Sequence, residues 1–196
     1  MVEKIRGNIG WIVLAAILLY FIGKYLYAQP KYINGEKAPD FTATMLTGAP
    51  MTLSDLKGQY ILLDFWGSWC GPCVAEAPRL KKLYDTFHDK TFSDAKGFEI
   101  VSVGIESDKM RWQAAIQRLN INWQYQVSDF QNLDSPIAKM YGVRVIPTKF
   151  LINTEGVIIG VNKSIEEIEK FLLSKIKERW NNKESVKTDT LLFHRS

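Results

Sequence analysis

The chain has 196 residues, with 25 basic and 21 acidic side chains for a formal net charge of +4, a length that fits one domain. Its 46% hydrophobic and 12% aromatic content can fill a core without disulfide staples, so its two cysteines point to chemistry rather than scaffolding. The basic residues are scattered, not gathered into a stripe interleaved with aromatics, which excludes nucleic acid as the implied partner.

Residues 1–8 form a short tail carrying Lys4 and Arg6. From Ile9 to Ile22, "IGWIVLAAILLYFI", no charge occurs, and with only Lys24 intervening the apolar character continues to Ala28. That is about 20 residues, enough helix to cross a hydrocarbon layer of about 30 Å. Trp11, Tyr20, Tyr25 and Tyr27 lie towards its ends, where amphipathic rings favour the membrane interface. Residues 9–28 therefore read as a transmembrane anchor. The rival is a cleaved signal peptide, which needs small residues one and three positions before the cut, and Ala28 has Leu26 at the second of these. Lys24, Lys31 and Lys37 balance Lys4 and Arg6, so the charge count leaves orientation open. Short N-terminal tails usually stay inside, which places the bulk of the chain on the extracytoplasmic side.

Residues 29–37 are a polar linker, and a folded domain is expected over 38–180. Its opening segment reads as a short strand pair turned at "TGAP", followed by a buried strand at Tyr60 to Trp66. Ala77, Leu80, Leu83, Tyr84 and Phe87 repeat at helical spacing within Ala75 to His88. "FEIVSVGI" (Phe98 to Ile105) is a second buried strand, and a helix follows from about Lys109 to Leu119. Ser135 and Pro136 suit an N-cap and first helical position, with Gly142 as the stop. "TKFLIN" and "VIIGV" form a hairpin across "NTEG". Ser164 with Glu167 makes a capping box for a last helix to about Trp180. Residues 181–196 are polar and aperiodic and read as a disordered tail. The order implies an α/β fold, a central mixed sheet with helices on both faces.

Both cysteines lie in "LLDFWGSWCGPCVAEAP", at the end of the first buried strand, where sites form in such sheets. Two thiols at i and i+3 entering a helix can close a small ring repeatedly. Cys70 at the helix start meets orphan N–H groups and the positive end of the helix dipole, which favour its thiolate. In such motifs the thiol pKa falls from about 8.5 to between about 3.5 and 7.5. Cys73, one turn deeper, would resolve the mixed disulfide. Three other readings compete. A zinc site wants four ligands, and the cysteines with His88 and His194 are poorly placed to supply them. A static disulfide closing so small a ring would add little stability. A copper-handling dithiol would want a methionine or histidine cluster beside it. No metal and no cofactor is expected.

"DFWGSWCGPC" resembles the thioredoxin active-site motif. With "APDF", "LSDLKG", "FWGSWCGPCVAEAP" and "VRVIPTKFLIN", Ala38 to about Ile176 is similar to the membrane-anchored, extracytoplasmic TlpA/ResA-like branch of thioredoxins. The resemblance implies a thioredoxin-like three-layer fold. It also implies a cis Ile146–Pro147 bond facing the disulfide, leaving the Ile146 backbone to pair with a substrate segment; an X–Pro bond by itself is cis only about 5–6% of the time. Asp64, inward on an apolar strand, resembles the buried aspartate of thioredoxins, and burial raises its pKa to suit a group taking the proton from Cys73. Those proteins carry a lysine on the adjacent strand, and "FEIVSVGI" has none, so how Asp64 is tuned stays open, as does plain solvation at a strand edge. Glu76 corresponds to a glutamate adjoining the active site in ResA-like proteins; its bland alternative is complementation of the helix dipole.

Pro72 stiffens the ring between the sulfurs, Gly71 leaves room for a partner, and Pro78 should kink the helix, the alternative being a helix that simply starts later. Trp66 reads as core and Trp69 as exposed and touching a partner. The implied function is an extracytoplasmic thiol–disulfide oxidoreductase exchanging with protein dithiols and disulfides and recharged by a membrane electron donor or acceptor protein. Reduction is favoured, with oxidase or isomerase action open. A peroxiredoxin-like peroxidase and a non-catalytic binding module are the rivals.

Overall fold

The computed structural model describes the backbone of residues 2–176 and the side chains from Gly10 onward. The expected end of the last helix near Trp180 and the tail 181–196 lie outside these residues. The first helix, α1, runs from Val2 to Ala28, beginning before the apolar run itself. Its Gly10–Ala28 stretch has mean hydropathy 1.8 and none of it is buried against the rest of the chain. Apart from Lys24 and the contact of Arg144 with Tyr27 at its last turn, this stretch is apolar and unpacked, and it is long and apolar enough to cross a membrane.

Beyond the linker, β1 (Thr42–Thr44) and β2 (Pro50–Thr52) pair antiparallel, with Met45 N–H closing the turn on the Ala49 carbonyl at 2.8 Å. The remaining strands and α-helices in chain order are β3 (Tyr60–Trp66), α2 (Gly71–Phe87), β4 (Phe98–Gly104), α3 (Lys109–Arg118), β5 (Tyr125–Val127), α4 (Pro136–Tyr141), β6 (Thr148–Ile152), β7 (Ile158–Val161) and α5 (Ile165–Lys175). The sheet order is β5-β4-β3-β6-β7, with β3, β4 and β5 parallel and β6 and β7 antiparallel to their neighbours. This is the thioredoxin-like mixed sheet. The short β5 was not marked by the periodicity of its sequence; it forms by parallel pairing of Tyr125, Gln126 and Val127 with Val101, Ser102 and Val103 of β4.

β3 and β4 are buried at every position, which is why they read as continuous apolar runs: helices or loops cover both faces. Alternation still sorts their side chains. Ile61, Leu63 and Phe65 face a core with Phe41, Leu53, Ile137 and Tyr141, whereas Tyr60 and Leu62 face Leu80, Leu83 and Phe87 of α2 and Ile168 and Leu172 of α5. Each such side chain contributes about 1.5–3 kcal/mol on burial. Asp64 has the parity of Leu62, so the strand itself aims it beneath α2. The third cluster, Trp66, Cys70, Cys73, Trp112, Ala115 and Ile116, seals the C-terminal end of the central strands with α3.

Local signals set the helix ends. Ser135 caps α4 by accepting from Ala138 N–H, and Gly142 stops it at φ 66°, a left-handed conformation costly for residues with a Cβ. Ser164 and Glu167 form both halves of the α5 capping box. α2 runs uninterrupted through Pro78, starting at Gly71 rather than beyond the proline.

Candidate active site

Cys70 is the N-cap of α2, and its Sγ accepts from the Cys73 N–H at 3.3 Å. The sulfurs are joined in a disulfide, with the Cα atoms 5.3 Å apart. Gly71 and Pro72 fill the first two helical positions, where a missing N–H removes no helix bond. Nothing lies within 4 Å of the place a Gly71 side chain would start, so this corner of the ring is open. The sulfurs themselves are covered: Cys70 is 6% and Cys73 3% exposed, a smaller difference than their places on the helix suggested. Opening the ring would place the Cys70 sulfur against orphan amides, which favour its thiolate.

The loop leading into Cys70 is clamped from β4 and the residues after it. Trp66 C=O accepts from Ile105 N–H, Trp69 Nε1–H donates to Ile105 C=O at 2.8 Å, and Ser68 N–H donates to the Glu106 carboxylate. Glu106 is fully buried, with Arg111 Nη2 at 3.7 Å from its Oε2. Gly67 is required here, since a Cβ would lie 2.9 Å from Trp69 Nε1. Trp66 is core, and Trp69 is 48% exposed beside Cys70. Glu106 went unmarked in sequence; the available signal was a carboxylate closing a buried strand.

Ile146–Pro147 is cis, and the Ile146 carbonyl oxygen lies 3.8 Å from Cys70 Sγ. Among the described residues the Ile146 N–H has no backbone partner. Pro147 also borders a cavity with about 10 Å³ open to a water centre, space for about one molecule, lined by Asp64, Cys73, Glu76, Trp66 and Trp123 among others.

Asp64 is 2% exposed and therefore not solvated at a strand edge. Burial drives its pKa from the ordinary 3.8 up to about 7, opposed in part by the Lys149 ammonium and assisted by the Glu76 carboxylate. The lysine sought on the adjacent strand is supplied from the other side. Opposite Asp64, β4 presents Ser102, while β6 presents Lys149 in direct register. Lys149 Nζ lies 2.6 Å from Glu76 Oε2. Glu76 sits in the second turn of α2 and turns to this ammonium, away from the helix start where dipole complementation acts. Lys149 was not singled out in sequence, because nothing within "IPTKFLIN" marks its side chain as buried.

These groups set a dithiol/disulfide pair at a helix start, above a buried carboxyl group whose pKa is raised by burial to about 7. Comparisons with known proteins agree. The AhpC/TSA family profile matches residues 34–161. The thiol-disulfide oxidoreductase ResA of Bacillus subtilis (strain 168) is 34% identical over 152 residues, 76% of this chain and 79% of that protein. ResA of Geobacillus kaustophilus (strain HTA426) is 31% identical over 172 residues, 86% and 93% of the two chains. Among solved structures, the thioredoxin domain of a Bacteroides vulgatus thiol-disulfide oxidoreductase superposes with a TM-score of 0.64 at 30% identity, covering 72% of this chain and 99% of that one. A putative thiol:disulfide interchange protein DsbE from Chlorobium tepidum gives 0.60 at 28% identity, covering 74% and 98%. The chain thus belongs to the AhpC/TSA family, as a thioredoxin-fold thiol–disulfide oxidoreductase of the ResA and DsbE type with a Cys70–Cys73 pair.

Proposed function

We propose that the chain is held in a membrane by α1 with its thioredoxin-like domain, residues 38–180, on the extracytoplasmic side, and that it reduces protein disulfides there. The observation that carries the chemistry is the Cys70–Cys73 pair at the start of α2, with the cis Ile146–Pro147 bond beside it and Asp64 beneath. The unburied apolar stretch of α1 supports the anchor, and a disulfide persists best in an oxidising compartment.

In the reduced protein the Cys70 thiolate attacks one sulfur of a substrate disulfide, and the other substrate sulfur leaves as a thiolate that takes a proton. A mixed disulfide now links Cys70 to the substrate. Cys73 loses its proton to a neighbouring carboxylate, Asp64 or Glu76, and attacks Cys70 Sγ. The Cys70–substrate bond breaks, the substrate carries away both electrons as a dithiol, and Cys70–Cys73 is left oxidised. A membrane dithiol protein would return the two electrons. Trp69, Gly71, Pro72, Ile146 and Pro147 form the surface a substrate meets, with the Ile146 backbone pairing to the segment around the attacked sulfur. A CGPC ring favours the reducing end of the scale, near about −270 mV rather than about −120 mV.

Cys70→Ser should abolish reduction of insulin disulfides, and Cys73→Ser should accumulate mixed disulfides with its substrates. Full activity in the Cys70 variant would end this reading. A midpoint potential near that of thioredoxin, measured against a glutathione buffer, is expected for a reductase; one near −120 mV would reverse the direction.

A further inference from the structure

Two carboxylates lie beneath the redox pair, and a cation is in contact with one of them. The Lys149 and Glu76 side chains are 7% and 19% exposed and meet at 2.6 Å. Asp64 Oδ1, also buried, has no hydrogen-bond partner among the described residues. The register explains why Lys149 is there at all: it is the Cα partner of Asp64 across the β3–β6 ladder, so both project on the α2 side. β4 presents the uncharged Ser102, whose Oγ accepts from Trp123 Nε1–H at 2.9 Å; α2 presents Cys73 and Glu76; β6 and the turn before it present Lys149 and Pro147. The cavity at Asp64 is otherwise lined by apolar or uncharged side chains, Ile121 and Trp123 before β5 among them. One ammonium and two carboxylates in a poorly solvated pocket balance only when one further proton is held.

We propose that Lys149 decides which carboxylate holds that proton: its ammonium ties up Glu76 in a contact ion pair and leaves Asp64, its register partner, to exchange a proton with Cys73. Lys149 is thus a positioning residue, and Asp64, which lines one small cavity with Cys73, is the group that exchanges the proton. The inference rests on the dithiol exchange proposed above and selects between its two candidate bases. In the direction of substrate reduction, Cys73 S–H gives its proton to the Asp64 carboxylate as the sulfur attacks Cys70 Sγ. When a donor dithiol regenerates the protein, its thiolate attacks Cys70, the Cys70–Cys73 bond breaks, and Cys73 leaves as a thiolate that recovers the proton from Asp64. The titration of Asp64 near pH 7 suits both directions.

The test is a pair of variants that move Asp64 in opposite senses. Lys149→Met keeps the stem and removes the charge; Glu76→Gln frees the ammonium and removes a like charge. The carboxyl titration of Asp64 is followed by carbon-13 NMR in the oxidised full-length protein, and the rate of mixed-disulfide resolution is followed against pH by stopped flow. An opposite charge shifts a carboxylate by about 1–3 pH units. The Asp64 midpoint is therefore expected to rise by about one unit or more in Lys149→Met and to fall in Glu76→Gln, with the pH limb of resolution following it and lost in Asp64→Asn. A midpoint unmoved in Lys149→Met, or a limb lost in Glu76→Gln and kept in Asp64→Asn, overturns the proposal. Should Lys149→Met fail to fold, Glu76→Gln decides alone, a fall supporting the proposal and no movement overturning it. No exchange by the wild type at any pH would defeat the reading of the site and the proton transfer with it. The NMR titration distinguishes that result, since the opposite moves of Asp64 would persist.

Discussion

Replacing Asp64 by asparagine should stabilise the protein, and by an amount that grows with pH. The aspartate is 2% exposed and its pKa stands at about 7 in the folded chain against an ordinary 3.8. Between those values the folded state holds a proton that the unfolded state has released, so unfolding is favoured as pH rises, by about 1.4 kcal/mol per pH unit. The stability associated with neutral Asp64 is fully present below about pH 4 and is lost as pH passes through about 7. Three pH units correspond to about 4 kcal/mol, a large share of the roughly 5–15 kcal/mol that holds a domain folded. Asparagine keeps the shape and has no charge to bury. Guanidinium unfolding of the oxidised full-length protein and of Asp64→Asn, in mild detergent at intervals from pH 4 to pH 8, checks this. Groups remote from Asp64 titrate alike in both proteins and cancel in the difference. That difference should widen by about 4 kcal/mol in favour of the variant across the series. A gap constant to within about 1 kcal/mol would refute the claim that burial governs Asp64.

Two further substitutions probe the frame around the site. Glu106→Ala leaves the Ser68 N–H without its acceptor in the loop before Cys70 and should cost about 1–3 kcal/mol, whereas Glu106→Gln keeps an acceptor oxygen and should cost less; equal losses in denaturant unfolding would mean that the clamp is not the hydrogen bond. Gly142→Ala puts a Cβ at φ 66° and 2.5 Å from the Lys31 Cβ of the linker, so at least about 1 kcal/mol should be lost in thermal unfolding; a neutral result would show that the linker does not pack there.

Much of this protein is written in contiguous stretches. The uncharged run from Ile9 to Ile22, the buried strands at Tyr60 and Phe98, the caps at Ser135 and Ser164 and the stop at Gly142 each depend on a few neighbouring residues, because helix ends, turns and apolar periodicity are local physics. The cysteine pair and the cis Ile146–Pro147 bond were legible too, the second only through family resemblance, since a lone X–Pro bond favours trans. Asp64 could be placed inward from the apolar residues that make up the rest of its strand.

Its surroundings could not. Lys149 meets Glu76 and faces Asp64 only because β6 runs antiparallel beside β3 in one particular register, and a shift of one residue would turn its ammonium to the opposite face. Glu106 reaches Ser68 only once β4 lies alongside β3, and Cys70 loses its exposure only when α3, the turn before β6 and Trp66 close around it. Charges in water interact weakly across a chain, but the same charges enclosed in a core are strongly coupled. The composition of the redox site was therefore readable along the sequence, while its electrostatics came into being with the packing of the sheet.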